Sequence, residues 1–395
     1  MKSEKKIVLA YSGGLDTSII LKWLQENYNA EIICYTADVG QIIDRRKIYI
    51  NAKKFGVKKI IISDLKDTFV KDYVYPMIRG HAIYEGLYLL GTSIARPLIA
   101  KDQIRVAKKF KAYAVSHGAT GKGNDQIRFE LGYHYFDPKI KIIAPWRIWN
   151  LKSRTDLINY AKKNRISIPK DKKGASPFSV DDNLFHTSTE GKILENPKNS
   201  APEFIFQRTV SPERSPDKPT FITINFKNSD PIGINGKKLS PSKLLKKLNQ
   251  IGGKNGIGRV DLVENRFIGV KSRGVYETPG GTILIIAHRA METVTLDKKT
   301  MHAKDKIMSR YAELIYNGYW YSKERFKLQK IVDLKRSKVN GSVKLKLYKG
   351  NITIQSRVTN SSAYSMKKVS FEENKSFNKS NVERFINFHK KKLRS

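Results

Sequence analysis

The chain has 395 residues, 28% of them charged and 40% hydrophobic, with a formal net charge of +39 and a pI near 10.0. That length supports a large core and two domains with room for an appendage. A single cysteine, Cys34, excludes an internal disulfide, and no apolar stretch approaches membrane-spanning length.

The first segment, Lys6 to Ser18, reads KIVLAYSGGLDTS. Ile7 to Tyr11 are strand formers, a Ser-Gly-Gly turn stops them, and helix-forming residues resume at Leu15. Paired glycines let the backbone bend and approach a ligand closely. Ser12, Thr17 and Ser18 set hydroxyls among the amides of a helix N-terminus, and that arrangement binds phosphate. A bare SGG is more often the turn of an ordinary βα unit with a serine cap. Asp16 fits the plain turn poorly: a carboxylate among phosphate-binding groups is repulsive unless a cation lies between them, which implies Mg²⁺. The lead MKSEKK runs directly into this strand, so no targeting segment is expected and the chain is placed in a reducing cytoplasm.

A helix is predicted over 16–27, with Ile19, Ile20, Trp23 and Leu24 on the face that packs against a sheet. A strand over 31–37 holds Cys34 as a buried small residue, and a helix over 44–55 and a strand over 58–63 follow. Alternating units of this length predict a parallel sheet covered on both faces, with ligands at the carboxyl ends of its strands. Residues 79–111 read as helix-rich, with a break at Gly91 and a cap at Thr92 and Ser93. A strand over 112–117 runs into a second glycine-rich loop, GATGKGNDQIRFE, over 118–130. It is not a Walker A loop, because Ser116 stands where the first glycine belongs and Gly123 follows Lys122 where Ser or Thr should hold Mg²⁺. It reads as a second strand-loop-helix mouth beside the first. A strand over 140–144 and a helix over 153–164, with Ser153 and Asp156 in capping-box spacing, complete this part.

The alternation stops between Pro169 and Pro177, so the nucleotide domain is placed at 1–170 and an α+β domain at 171–370. The latter shows a proline-rich loop region over 196–219, alternation over 221–226 and a glycine-rich passage over 252–281. A helix around Ala312, Leu314 and Ile315 and strands over 343–358 follow. The remaining segment, 371–395, is a polar linker (372–379) and a helix (380–393) capped by Ser380 and Glu383. Val382, Phe385, Ile386 and Phe388 lie mostly on one side of it. The helix either docks on its own domain or reaches to a neighbouring subunit, and the linker favours the second.

The basic excess is spread evenly over both halves, with only short clusters such as Lys390 to Lys392. A nucleic-acid site would concentrate it on one face with interleaved aromatics. Richness in Ile, Asn and Lys, the residues of A/T-rich codons, points instead to compositional drift, and no nucleic-acid or membrane partner is expected. The seven histidines are scattered, without an HxxxH spacing, so no dedicated protein metal site is expected. There is no GxSxG elbow either, which leaves the chemistry to the two glycine loops and what faces them.

The string SGGLDTS resembles the pyrophosphatase loop of the ATP pyrophosphatase (PP-loop) superfamily, whose members cleave ATP between the α and β phosphates and pass AMP to a substrate oxygen. Seven segments in order are similar to the argininosuccinate synthase family. They are AYSGGLDTS (10–18), DVGQ (38–41), LLGTSIARPLIAK (89–101), SHGATGKGNDQIRFE (116–130), IAPWR (143–147), ILENP (193–197) and VENRFIGVKSRGVYETPGGTIL (263–284). The resemblance covers nearly the whole chain. It implies an α/β fold: a doubly wound parallel sheet of the adenine nucleotide alpha hydrolase-like type, then a C-terminal α+β domain and a C-terminal helix, assembled as a homotetramer. The implied reaction joins citrulline and aspartate at the expense of ATP. The ureido oxygen attacks the α phosphate, and the aspartate amine then displaces AMP from citrullyl-adenylate. Positioning and charge neutralisation carry such chemistry.

Carried over by position, the family's roles set Ala10, Tyr11, Ser12, Gly13, Gly14, Leu15, Asp16, Thr17 and Ser18 around the ATP phosphates. Ser12 and Asp16 take the catalytic part, and Ala37 and Gly118 line the adenosine. Thr120, Asn124 and Asp125 are implied for aspartate. Tyr88, Ser93, Asn124, Arg128, Ser179, Ser188, Glu264 and Tyr276 are implied for citrulline. A carboxylate at Asp125 suits an ammonium, Arg128 suits citrulline's carboxylate and Glu264 its α-amine. Read singly, Arg128 and Glu130 are a surface pair on a helix and Tyr276 is a core tyrosine. The chain departs from the family after DVGQ, where Ile42-Ile43-Asp44-Arg45-Arg46 replaces an acidic polar segment, and around Ser179. The rival readings are an enzyme that adenylates a tRNA base, which would need a tRNA-binding appendage, and a non-enzymatic basic nucleic-acid binder. Asp16, Asp125 and Glu264 count against the second, since coating phosphate gains nothing from carboxylates.

Overall fold

The computed structural model describes residues 5–120, 123–151, 153–167, 178–365, 379–390 and 393. The chain opens with β1 (Lys5–Ala10), α1 (Leu15–Asn27), β2 (Ala30–Asp38), α2 (Arg45–Lys54) and β3 (Lys59–Asp64). Short helical turns over 66–79 lead to α3 (Gly91–Lys109), β4 (Ala114–Ser116), α4 (Asn124–Phe136), β5 (Lys141–Ile143) and, after a turn at 145–148, α5 (Arg154–Lys163). The strands form one parallel sheet in the order β3-β2-β1-β4-β5. Ile7, Val8 and Leu9 of its central strand are fully buried, as strands covered on both faces must be. The chain builds outward from β1 through β2 to β3, then returns to β1's other side at β4. The loops after β1 and β4 therefore face each other across the crevice where the winding reverses.

Two expected features change here. Residues 80–90 are not helical, and His81, Glu85 and Leu90 take left-handed backbone conformations before α3 begins. Gly91 is not a break but a close approach: a Cβ there would lie 2.3 Å from the His186 ring. Thr92 and Ser93 belong to the first turn of α3 and do not cap it. The Thr92 hydroxyl instead meets His186 Nε2 at 2.9 Å. The departure after DVGQ leaves α2 intact, since Asp44 accepts from the Lys47 amide at 2.9 Å and caps it.

The chain continues as β6 (Ser179–Asp182), β7 (Thr187–Glu190), β8 (Thr220–Lys227), β9 (Asp230–Ile234), β10 (Lys237–Lys238) and α6 (Pro241–Lys254). Then come β11 (Arg259–Asn265), β12 (Lys271–Glu277), α7 (Pro279–Thr295), α8 (Lys298–Tyr316) and α9 (Lys323–Val332). The hairpin β13 (Gly341–Tyr348) and β14 (Asn351–Val358) and the helix α10 (Lys379–Lys390) close it. These strands make two antiparallel sheets, β10-β9-β8-β13-β14 and β11-β12-β7-β6. Alternation in β8 buries Ile222, Ile224 and Phe226 under α7. One apolar cluster runs from Val8 and Ile33 through Tyr73 and Ile78 to Leu245, Ile283 and Leu345. The expected boundary at 169–177 and residues 372–378 of the expected linker lie outside the described residues, while Lys379, expected as its last residue, is helical. Helix α10 starts at Lys379, which puts Ser380 within its first turn, and it exposes Phe385 and Phe388.

The histidines are less scattered than their spacing implies. His81 Nε2 lies 2.7 Å from Glu292 Oε2 and 3.2 Å from His288 Nδ1, all buried. Residues 207 positions apart meet because the segment before α3 packs on α7. The buried Lys304 ammonium bonds Glu292 as well, so the carboxylate's charge is compensated from within the chain. No helix among the described residues is long and apolar enough to cross a membrane.

Candidate active site

The loop after β1 is shaped by its own atoms. Gly13 has φ +75°, and a Cβ there would lie 3.0 Å from Ile48 of α2. Asn51 Nδ2 donates to Gly13 O at 3.1 Å, which holds the loop against α2. Gly14 is the extended N-cap of α1 and brings no side-chain cap, so the first-turn amides point into the crevice as anion donors. Ser12 Oγ accepts from Gly14 N at 3.3 Å and meets Thr17 Oγ1 at 3.1 Å. Behind the loop, the buried Tyr11 hydroxyl and Ser18 Oγ are 3.3 Å apart. On the next strand, Gln41 Nε2 donates to Ala37 O at 2.6 Å while its Oε1 accepts from Val39 N at 2.9 Å. That explains what DVGQ does locally: it folds the chain back below Ala37.

The crevice widens into a cleft of about 540 Å³. It is lined by Ala10, Tyr11, Ser12, Gly14, Leu15, Asp16, Thr17, Ala37 and Gly118 at one end. Tyr88, Thr120, Asn124, Asp125, Arg128, Ser179, Ser188, Glu264 and Tyr276 line the other. Three predicted residues stay out of the lining: Gly13 lies under the loop against Ile48, Ser18 lies behind it, and Ser93 is fully buried in α3. The Ser93 hydroxyl makes no hydrogen bond in the structure, which leaves a buried donor unused.

The second end is built from charge. Arg128 is buried, with Nε and Nη2 donating to Tyr316 O at 2.9 and 2.8 Å and Nη1 to Asp125 Oδ1 at 3.0 Å. It is therefore not half of a surface pair: Glu130 turns away to His117 and Arg147, because residues two apart on a helix point to different sides. Burial alone would raise the Asp125 pKa, but Arg96 and Arg128 outweigh it and hold the carboxyl below its ordinary value. Tyr276 is buried against Tyr88, ring centroids 4.4 Å apart, yet both face the cleft. Burial pushes the Tyr88 hydroxyl up to about 12, so it stays a donor at all working pH values. Asn124 Oδ1 accepts from Phe267 N at 3.2 Å, which ties the start of α4 to the β11-β12 hairpin. Burial raises the Glu264 pKa, and its Oε2 has no hydrogen-bond partner among the described residues.

Several cleft residues escaped the sequence reading. Arg96 Nε donates to Asp125 Oδ2 at 2.8 Å and Nη2 to Asp181 Oδ1 at 2.7 Å. Arg266 pairs with Glu190, whose pKa burial raises. Under the cleft floor, burial together with Arg208 and Arg96 pushes His186 down to about 3, so it is neutral where Thr92 meets it. The usable signal for Arg96 was helical spacing: it stands four residues after Thr92, on the same face of α3.

A parallel sheet with a phosphate-binding loop at its switch point, opening into a cleft of charged residues, defines an ATP-utilising enzyme for a small charged substrate. The model of the arginosuccinate synthase N-terminal HUP domain matches residues 6–167, and that of the arginosuccinate synthase C-terminal domain matches 178–395. The chain is 82% identical over 395 residues to the argininosuccinate synthase of Pelagibacter ubique (strain HTCC1062), covering 100% of both. It is 59% identical over 372 residues to that of Parvibaculum lavamentivorans, covering 94% of this chain and 91% of that one. It is 56% identical over 395 residues to that of Granulibacter bethesdensis, covering 100% and 95%. The chain belongs to the argininosuccinate synthase family. It is an ATP-dependent ligase of arginine biosynthesis, joining L-citrulline and L-aspartate as argininosuccinate with release of AMP and pyrophosphate.

Proposed function

We propose that the two ends of the cleft divide the reaction between them. At the first end Ala10 to Ser18 hold the ATP phosphates, with Ser12 and Asp16 nearest the bond that breaks, and Ala37 and Gly118 hold the adenosine. At the second, Tyr88, Ser93, Asn124, Arg128, Ser179, Ser188, Glu264 and Tyr276 bind citrulline, and Thr120, Asn124 and Asp125 bind aspartate. The observation that carries this division is the single cleft that runs from the first turn of α1 to the Glu264 carboxylate, whose Oε2 has no hydrogen-bond partner among the described residues. Glu264 there suits an α-ammonium, and the first-turn amides of α1 suit phosphate.

Citrulline is held with its ureido oxygen toward the loop, which makes attack on the α phosphate a matter of approach and alignment. Pyrophosphate leaves, and the aspartate amine then displaces AMP from citrullyl-adenylate. Asp16 lines the cleft beside Ser12 and Thr17 and has no cation partner among the described residues. Its carboxylate would hold Mg²⁺, which would supply charge neutralisation for the reaction. The apolar side of α10 fits an arm on another subunit, in a homotetramer of the reducing cytoplasm. The test is incubation of purified protein with citrulline, aspartate and Mg-ATP. AMP and pyrophosphate should accumulate only with both amino acids present, and release that ignores either one contradicts the division.

A further inference from the structure

We propose that Arg96 is the receptor for a carboxylate of the aspartate substrate, and that Asp181 is an internal carboxylate which the substrate displaces from it. The proposal rests on the assignment of Thr120, Asn124 and Asp125 to aspartate. Those three offer a hydroxyl, an amide and a carboxylate, whereas aspartate brings two carboxylates and one ammonium. A carboxylate entering a cleft needs a cation or several N–H donors to replace its water. The assigned residues supply no cation.

Among the described residues the cationic side chains lining the cleft are Arg96, Arg128 and Arg266. Arg128 has each of its three nitrogens on Tyr316 O or Asp125. Arg266 sits on Glu190. Arg96 differs in the quality of its two partners. Asp125, the deeper one, is fixed from the other side by Arg128, and its side chain is 21% exposed. Asp181 stands on β6, an edge strand of its sheet, with its side chain 44% exposed. The Arg96–Asp181 pair at 2.7 Å thus displays a guanidinium–carboxylate contact at the solvent side of the cleft. Arg96 itself is only 19% exposed and needs a carboxylate there, but Asp181 is the more open of its two partners, so it is the one that an incoming carboxylate replaces without leaving the guanidinium unpaired. The Arg96 guanidinium also lies 5.7 Å over the Phe129 ring, which keeps it in place when the partner changes. A substrate carboxylate at the Asp181 position puts its ammonium within reach of Asp125, on the same guanidinium.

The test is steady-state kinetics on the full-length chain, with citrulline-dependent exchange of labelled pyrophosphate into ATP measured beside it. Arg96→Gln should raise KM for aspartate about 100-fold, while KM for citrulline in the exchange moves far less. Arg96→Lys should fall between Arg96→Gln and the parent. Asp181→Asn, which keeps the shape of the β6 residue, should lower KM for aspartate by removing the competitor. Asparagine and isoasparagine as alternative substrates tell which carboxylate is read, since Arg96→Gln narrows the preference only against the amide that lacks it. Three results overturn the proposal: an unmoved KM for aspartate in Arg96→Gln, an equal rise for both amino acids, or a rise in KM for aspartate in Asp181→Asn. If Thr120→Val and Asp125→Ala also leave KM for aspartate unmoved, the assignment beneath it falls too; if they raise it and Arg96→Gln does not, only this proposal falls.

Discussion

The two ends of the cleft bind in different physical ways. The end proposed for phosphate is one contiguous stretch, 10–18, seven of whose residues line the cleft, with Asp16 as its single charge. The other end, proposed for the amino acids, gathers side chains from α3, α4, β6, β7 and β11, among them the charged Arg96, Asp125, Arg128, Asp181, Glu190 and Glu264. Damage at the first end is steric and local. At the second end Asp125, Arg96 and Arg128 neutralise one another, so removing any one leaves its partners buried and uncompensated.

The strongest way to break the contrast is at the glycines. Gly14→Val should remove ATP binding and cut turnover by about 100-fold or more with the fold intact, because φ there is −80° and an added Cβ meets only Ser12 Oγ. Gly13→Val should lose binding and stability together, since its backbone is left-handed and the side chain meets Ile48. Parental ATP affinity by calorimetry in Gly14→Val would remove the phosphate-cradle reading.

Next in size is Asp125→Ala. Argininosuccinate formation should fall by about 100-fold, while citrulline-dependent pyrophosphate exchange survives, because exchange reports adenylate formation alone. Arg128→Ala should lose the exchange as well. If Asp125→Ala abolishes exchange at saturating citrulline while still folding and binding ATP, Asp125 serves the first half of the reaction.

A smaller effect is expected from pH at Glu264. Burial raises its pKa, so as pH falls it takes up a proton earlier than an ordinary glutamate and loses its attraction for an ammonium. KM for citrulline should therefore climb on the acid side, and Glu264→Gln should raise KM about tenfold and flatten that limb. The sign for stability is opposite: a carboxyl whose folded pKa is raised costs stability above its unfolded pKa, so Glu264→Gln should melt higher at neutral pH. A variant that keeps the parent's acid limb excludes Glu264 as its source. The smallest effect belongs to Ser93→Ala. Its buried hydroxyl has no partner to lose, so stability should hold while KM for citrulline rises about fivefold, the worth of one hydrogen bond. A drop in melting temperature without a change in KM assigns Ser93 to the core.

The sequence made the strand–glycine–helix turn at 6–27 legible because its signals are contiguous: an apolar run, paired glycines and a helical pattern. It made the parallel sheet legible through alternating apolar runs such as Ile60-Ile61-Ile62. It misread Gly91 as a break, since only the fold brings His186 against it across 95 positions of chain. It passed over Arg96 although the surrounding string was quoted, because nothing local shows that a helical arginine meets Asp125 and Asp181. The Arg128–Glu130 pair failed for the converse reason: neighbours in sequence point apart on a helix.

The unbroken apolar cluster from Val8 to Leu345 has a calorimetric consequence. A core shared between the parallel sheet and the antiparallel sheet beside it offers no plane along which one half can melt before the other. Heating should give one cooperative endotherm, its van't Hoff and calorimetric enthalpies equal. ATP, bound as proposed at the β1 end of that core, should then move the whole endotherm to higher temperature, with a stabilisation of about 2.7 kcal/mol at a hundredfold excess over its Kd. Two separated peaks, with nucleotide moving only the first, would show that the cluster is continuous in space but not in cooperativity.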